Sequence, residues 1–328
     1  MQKVTIKDVA TAAGVSVSAV SYILNGSTEK KYSEKTVKAV RKAAERLHYM
    51  PNAIARGMRS QRAFSVGIVN FWENGSASFA RSLRAVTEAA AERNVSAVLL
   101  TGCEDYSYLR AFANRSVDGI VLIAPDSLVY NERAHIREMQ KMHVPFAILN
   151  ATASVREICS VFYDYYAASA LAAETLLKSG HKNLLYIDSF SESAARELRE
   201  RREGYADTVR SAGLLPRMAD IEKLTVSDLD GVDGVVTSRA ETARTLLRFL
   251  YDAGIRFPGA FSLIAGSAEE ESRESVLPLT CVDFPYAEAG RFAVSAVYDS
   301  VTNTRFTPSP FVRNGKTAAI RSSDAEPG

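Results

Sequence analysis

The run IKDVATAAGVSVSAVSYILNG, Ile6 to Gly26, constrains this chain more than any other stretch. Two short helical patterns meet at Gly14. Ile6, Val9, Ala10 and Ala13 recur at helical spacing before it, and Val17, Val20, Ser21 and Leu24 after it. Gly14-Val15-Ser16 is too short for a loop and suits a tight turn. Gly14 is free to take positive φ, and Ser16 is placed to cap the second helix. Asn25-Gly26 then stops that helix. The small residues Ala10 and Ala13 let the two helices cross closely. This is the pattern of a helix-turn-helix, whose second helix enters a DNA major groove.

The distribution of charge points the same way. The 328-residue chain has a formal net charge of only +2. Residues 1–62, however, carry 12 Lys and Arg against 4 Asp and Glu, net +8, and the remainder is net −6. A basic head on an acidic body is the asymmetry of a nucleic-acid-binding module joined to something else. Apolar residues make up 47% of the chain, enough for more than one core. Cys103, Cys159 and Cys281 are odd in number and far apart, so neither a zinc site nor a disulfide framework is expected. The N-terminus has no apolar signal segment, and no stretch approaches the ~20 apolar residues of a membrane span. The expected location is cytoplasmic and nucleoid-associated, with no membrane partner, no metal and no cofactor.

Beyond Gly26, Ser33 caps a third helix running from Glu34 to about His48. Val37, Val40, Ala44 and Leu47 form its inner stripe, and Lys35, Lys38, Arg41, Lys42 and Arg46 its outer face. Pro51 breaks it. Asn52 can cap a very short helix over Ala53 to Arg59, far below the ~12–15 residues an isolated helix needs in water. That segment must be ordered by docking.

From Val4 to Ser60 the pieces TIKDVATAAGVS, AVSYILNG, SEKTVKAVRKAAERLHYMPN and AIARGMR occur in order and without a gap. Together they closely resemble the head and hinge of the LacI/GalR family of bacterial transcription regulators. The resemblance implies a homodimer on a near-palindromic double-stranded operator, with the second helix of each head in a major groove. The paired hinge helices are expected in the central minor groove, Met58 standing where the family usually has a leucine wedge. Base reading falls on Val17, Ser18 and Tyr22. Tyr22 replaces a frequent arginine, so it either reads thymine methyls and one acceptor or contacts only the backbone. Ser16, Ser21 and Asn25 position the head. Thr5, Tyr32, Asn52, Ala55 and Arg59 complete the implied DNA contacts.

From Ser65 the pattern changes to apolar runs alternating with amphipathic helices. One series contains SVGIV, SAVLLTG, DGIVLIAP and VPFAIL; a second contains CSVFYD, LLYIDS, DGVVTS and FSLIAGS. Unbroken apolar strands between helices indicate parallel sheets covered on both sides. The expected fold is α/β: a three-helix helix-turn-helix head with a hinge helix, then a two-lobed, periplasmic-binding-protein-like body of doubly wound sheets. The head is assigned to residues 1–50, the hinge to 51–62, the body to 63–321 and a disordered tail to 322–328. Within the body, an N-lobe takes about 63–160 and 286–307, and a C-lobe about 161–285 and 308–321. Helices Phe79–Ala91 and Glu288–Val301 are the expected dimer faces.

Ligands of such sheets lie beyond the strand C-termini. Phe71 and Trp72, with Phe79, offer a flat platform there. By the resemblance, Arg199 occupies the place of the family's ligand-binding arginine and Asp164 that of a common aspartate at the crossover. The pattern departs from the family at Ser238-Arg239, where Asn-Asp is usual, and at Ala265-Gly266-Ser267, where Gly-Phe-Asp is usual. An arginine pair, Arg199 with Arg239, suits an anionic or phosphorylated effector better than a plain sugar. The alternative is a regulator with a degenerate cleft, gated by a partner protein or ungated. No G-x-G-x-x-G follows a strand and no complete P-loop or G-x-S-x-G occurs, so an enzyme is not expected.

Overall fold

A computed structural model describes residues 4–24, 32–49, 63–70, 77–101, 104–124, 131–152, 158–190, 196–267, 277–299, 304–314 and 316–318. The chain divides into two compact units, Met1–Phe64 and Ser65–Gly328.

In the first unit, α1 (Ile6–Ala13), α2 (Val17–Leu24) and α3 (Glu34–Arg46) surround a small core of Val9, Ala10, Val20, Ile23, Val40, Ala43 and Ala44. Asp8 accepts hydrogen bonds from the Thr5 backbone and hydroxyl, which fixes the start of α1. At its end Gly14 takes φ 64°, and the Val15 amide returns to the Ala10 carbonyl at 3.1 Å. Ser16 Oγ accepts from the Ala19 amide, so the expected tight turn and cap are both present. Ser33 Oγ likewise accepts from the Thr36 amide. The inner face of α2 is Ala19, Val20 and Ile23; Val17 and Leu24, expected on it, are only half-buried.

The second unit contains two six-stranded sheets. The first, in the order β11-β5-β4-β3-β1-β2, uses β1 (Ser65–Asn70), β2 (Ser96–Leu100), β3 (Gly119–Ile123), β4 (Phe146–Leu149), β5 (Ser160–Val161) and β11 (Arg305–Phe306). The second, in the order β12-β10-β9-β8-β6-β7, uses β6 (Leu184–Asp188), β7 (Arg217–Asp220), β8 (Gly234–Thr237), β9 (Ser262–Ala265), β10 (Thr280–Asp283) and β12 (Phe311–Arg313). All pairings are parallel except β10 with β12. Helices α4 (Ala77–Glu92), α5 (Leu109–Ala113) and α6 (Glu132–Lys141) belong to the first series. Helices α7 (Tyr165–Lys178), α8 (Arg196–Ser211) and α9 (Ala240–Asp252) belong to the second, and α10 (Tyr286–Tyr298) returns to pack on α4 and β4.

Alternation along each strand explains why helices cover both faces. On β3, Val121 and Ile123 point to one core and Ile120 and Leu122 to another. On β6, Leu184 and Tyr186 face one side and Leu185 and Ile187 the other. The chain passes between the sheets after β5, after β10 and after β11, so the segments beside Asp164, Pro285 and residues 307–310 form the crossovers. The C-terminal ends of the strands carry the loops relevant to ligand binding. Among the described residues, no helix is long and apolar enough to cross a membrane, and no group of three or more His, Cys, Asp or Glu is placed to hold a metal ion. Cys159 and Cys281 are buried free thiols.

Candidate functional site

Helix α2 presents Ser18, with Ser21 and Tyr22 half-buried beside it, away from Ala19, Val20 and Ile23; Val17, at its start, is half-buried against the head core. Thr5 and Ser16 are exposed at helix starts, and Tyr32 is half-buried. Lys35, Lys38, Arg41, Lys42 and Arg46 are all exposed on α3. The remaining expected DNA contacts, Asn25, Asn52, Ala55, Met58 and Arg59, lie outside the described residues, as do the hinge, the tail and the platform residues Phe71 and Trp72.

At the strand ends of the second sheet, α8 lays a ladder of charged side chains across β6, β8 and β9. Arg201, 1% exposed, is the most deeply buried of them. Its Nε donates to Glu197 Oε1 at 3.0 Å and its Nη1 to the Gly266 carbonyl at 2.6 Å, and the guanidinium lies 4.8 Å from the Tyr165 ring centroid. Glu197 Oε2 accepts from Arg239 Nη2 at 3.1 Å. One carboxylate is therefore held between two guanidiniums. Burial pushes the Glu197 carboxyl up, but Arg201 and Arg239 outweigh it and hold the group below its ordinary value. One turn along, Arg202 Nε donates to Asp188 Oδ2 at 2.9 Å. Burial dominates at Asp188 and raises its pKa despite Arg202 and Ser238.

Gly266 is what lets Arg201 reach this position. A Cβ there would stand 2.4 Å from the Ser238 carbonyl and 3.1 Å from Arg201 Nη1. The aromatic residue usual in the family at this point has no room here. Ser238 is buried and bonds to Thr242, and Ser267 Oγ accepts from the Ala240 amide, so both tie the start of α9.

Facing this ladder, Asn150 follows β4 with φ 60° and joins the two sheets' loops. Its Nδ2 donates to the Ala124 carbonyl, and its Oδ1 accepts from Tyr165 Oη and Arg196 Nη2, each at 3.0 Å. Nearer the crossovers, Arg81 of α4 makes a two-pronged contact with Asp283 at the end of β10, at 2.6 and 2.7 Å. Arg313 and the Phe284 amide also reach the Asp283 carboxylate. The Tyr163 ring packs, tilted, against Phe284 and Tyr286 beside them, at 5.1 and 5.2 Å between centroids.

The expected pair Arg199 and Arg239 is not brought together. Arg199 is exposed, because two residues of helix are about 200° of rotation from the buried Glu197 and from Arg201. Asp164 is the N-cap of α7, accepting from the Ala167 amide at 2.8 Å, and Phe79 is 9% exposed within the core. The sequence reading passed over Glu197, Arg201, Asn150, Arg81 and Asp283. The i,i+4 pairing of Glu197 with Arg201, on the face of α8 shared by Tyr205, was the available signal.

Residues 5–52 match the family described as bacterial regulatory proteins, lacI family. Residues 65–233, more than half the chain, match the periplasmic binding proteins and sugar binding domain of the LacI family, and residues 173–323 match a periplasmic binding protein-like domain. The chain belongs to the LacI family. Catabolite control protein A of Priestia megaterium is 27% identical over 309 residues, covering 89% of this chain and 90% of that protein. The transcriptional repressor PurR of Mannheimia succiniciproducens is 22% identical, covering 91% and 92%. Among solved structures, the lac repressor bound to ONPG superposes with a TM-score of 0.65 at 19% identity, covering 97% of this chain and 100% of that one. A CelR–cellobiose complex gives 0.63 at 22%, covering 96% and 100%. As in these LacI-family relatives, the activity is regulation of transcription and not catalysis.

Proposed function

We propose that this LacI-family chain is a cytoplasmic, nucleoid-associated repressor that binds a near-palindromic operator as a homodimer. In this reading a small molecule in the cleft between the two sheets sets the lobe angle, and the lobe angle sets the spacing of the heads. The proposal keeps the division read from the sequence: head 1–50, hinge 51–62 and a two-lobed body. The observation that carries the reading is the outward face of α2, with Ser18, Ser21 and Tyr22 and with Val17 at the helix start, on the same chain as two doubly wound sheets whose strand ends gather paired guanidiniums. Thr5, Ser16, Tyr32 and the hinge residues supply the remaining DNA contacts. Dimerisation is supported by edge strand β2, which exposes Val98 (37%) and Leu99 (53%) beside α4.

The test is capture of genomic fragments by the purified protein at roughly 150 mM salt, where non-specific phosphate binding is suppressed. Enrichment of one palindromic site is expected, and Tyr22→Ala should relax preference within each half-site. Sequence-indifferent recovery, with and without cell extract, would sink the proposal. A second reading, a cleft that takes no small molecule, is favoured by one observation. Arg201, Arg239, Ser238 and Ser267 are all engaged by partners within the chain. A ligand response separates the two.

A further inference from the structure

Glu197 stands where a ligand would. Its carboxylate projects from α8 to the ends of β8 and β9 and receives one guanidinium on each oxygen, Arg201 at 3.0 Å and Arg239 at 3.1 Å. The two arginines differ in what else can reach them. The Arg201 side chain is 2% exposed and also bound to the Gly266 carbonyl, so it is fixed. The Arg239 side chain, between β8 and α9, is 26% exposed, while Glu197 is 8% exposed. Two carboxylates beside Arg239, Asp188 and Glu197, are held by Arg202, Arg201 and Arg239. The guanidiniums and carboxylates described on this face are thus paired with one another, and Arg239 is the most exposed of the three arginines.

That arrangement discriminates between ligand classes. A sugar hydroxyl needs acceptors as well as donors, and would exchange an ion pair on Arg239 for a weaker hydrogen bond to a neutral oxygen. A carboxylate exchanges like for like. We propose that the effector is an organic acid whose carboxylate takes the place of Glu197 on Arg239, leaving Glu197 paired with Arg201, so that Glu197 is an internal competitor setting the affinity of the cleft. This rests on the reading of the cleft as the effector site. Arg239 and Glu197 then keep neutral sugars out and admit an anion only against a built-in rival.

The experiment compares matched acid and neutral probes, galacturonate with galactose and glucuronate with glucose, by titration calorimetry at millimolar concentration. It uses wild type, Glu197→Gln and Arg239→Gln. An acid is expected to bind where its neutral partner does not. Glu197→Gln should tighten that binding about tenfold by removing the competitor, and Arg239→Gln should weaken it at least about tenfold, each the equivalent of one charge-assisted contact. Arg239→Gln leaves the Glu197–Arg201 pair in place, so its thermal unfolding should stay cooperative even if Glu197→Gln does not fold. Neutral sugars binding as well as their acids, or no acid binding to any folded form, overturns the proposal. Palindromic fragments are captured by the ligand-free chain in either case if the regulator reading holds, so the two can fail separately.

Discussion

His135, 6% exposed on α6, lies with its Nδ1 3.2 Å from Tyr108 Oη and its ring 4.8 Å from that of Tyr106. Burial pushes its pKa down from 6.5 to about 4. Between those values the unfolded chain binds the proton and the folded chain does not, so acid pulls toward unfolding. The stability this neutral imidazole preserves is complete above pH 6.5 and is lost as pH falls toward 4. Urea unfolding at pH 5 should show roughly 2 kcal/mol less stability than at pH 8 from this group. His135→Gln should flatten that part of the profile; an unchanged slope would assign it to other groups. The same scale shows what could be read from the sequence. Arg239 was recognisable as a departure, but its partner was not. Arg199 lies on the exposed side of α8 and Arg201 on the buried side, and only the phase of the helix against Tyr205 and Leu198, both buried, distinguishes them.

At the scale of elements, local chemistry is strongest where the chain punctuates itself. Gly14, Ser16 and Ser33 set the head because each performs one backbone task that few residues can. A Cβ at Gly14 meets no neighbour, so the cost of Gly14→Ala is purely the left-handed φ, about 1 kcal/mol. Hydrogen exchange on the full chain should then show α1 and α2 amides exchanging about fivefold faster, with β1, β3 and β6 unchanged. Unchanged head exchange would mean that α1 and α2 do not depend on this turn. The longer strands of both sheets were equally legible, since continuous apolar runs between amphipathic helices have one common solution. β7, β10, β11 and β12 were not. β7 is largely polar and lies half-buried at a sheet edge, β11 and β12 are two and three residues long, and β10 has only Cys281 and Val282 between Thr280 and Asp283, so none offers a continuous apolar run. Contacts set by tertiary packing, such as Asn150 with Tyr165 and Arg196, leave no local trace at all.

For the whole body, the question is what holds the lobe angle when no ligand spans the cleft. The described residues include two polar bridges: Asn150 with Tyr165 and Arg196, and Arg81 with Asp283 beside the crossovers. The second is the stronger, because both side chains are shielded (19% and 4% exposed) and both guanidinium nitrogens are used. Removing one partner of a buried pair typically costs ~3–5 kcal/mol, but Asp283 keeps Arg313 and the Phe284 amide, so Arg81→Gln should cost less, about 2 kcal/mol. A contact between lobes differs from a contact within one in its second consequence. If the pair holds the lobes together, its loss shifts the population toward wider angles, and small-angle scattering should give a larger radius of gyration for Arg81→Gln than for wild type. Arg84→Gln, which removes an exposed pair with Glu88 on the same helix, should change neither quantity appreciably. A loss of stability in Arg81→Gln with an unchanged radius would make the bridge a local packing contact and leave the lobe angle to the cleft ligand alone.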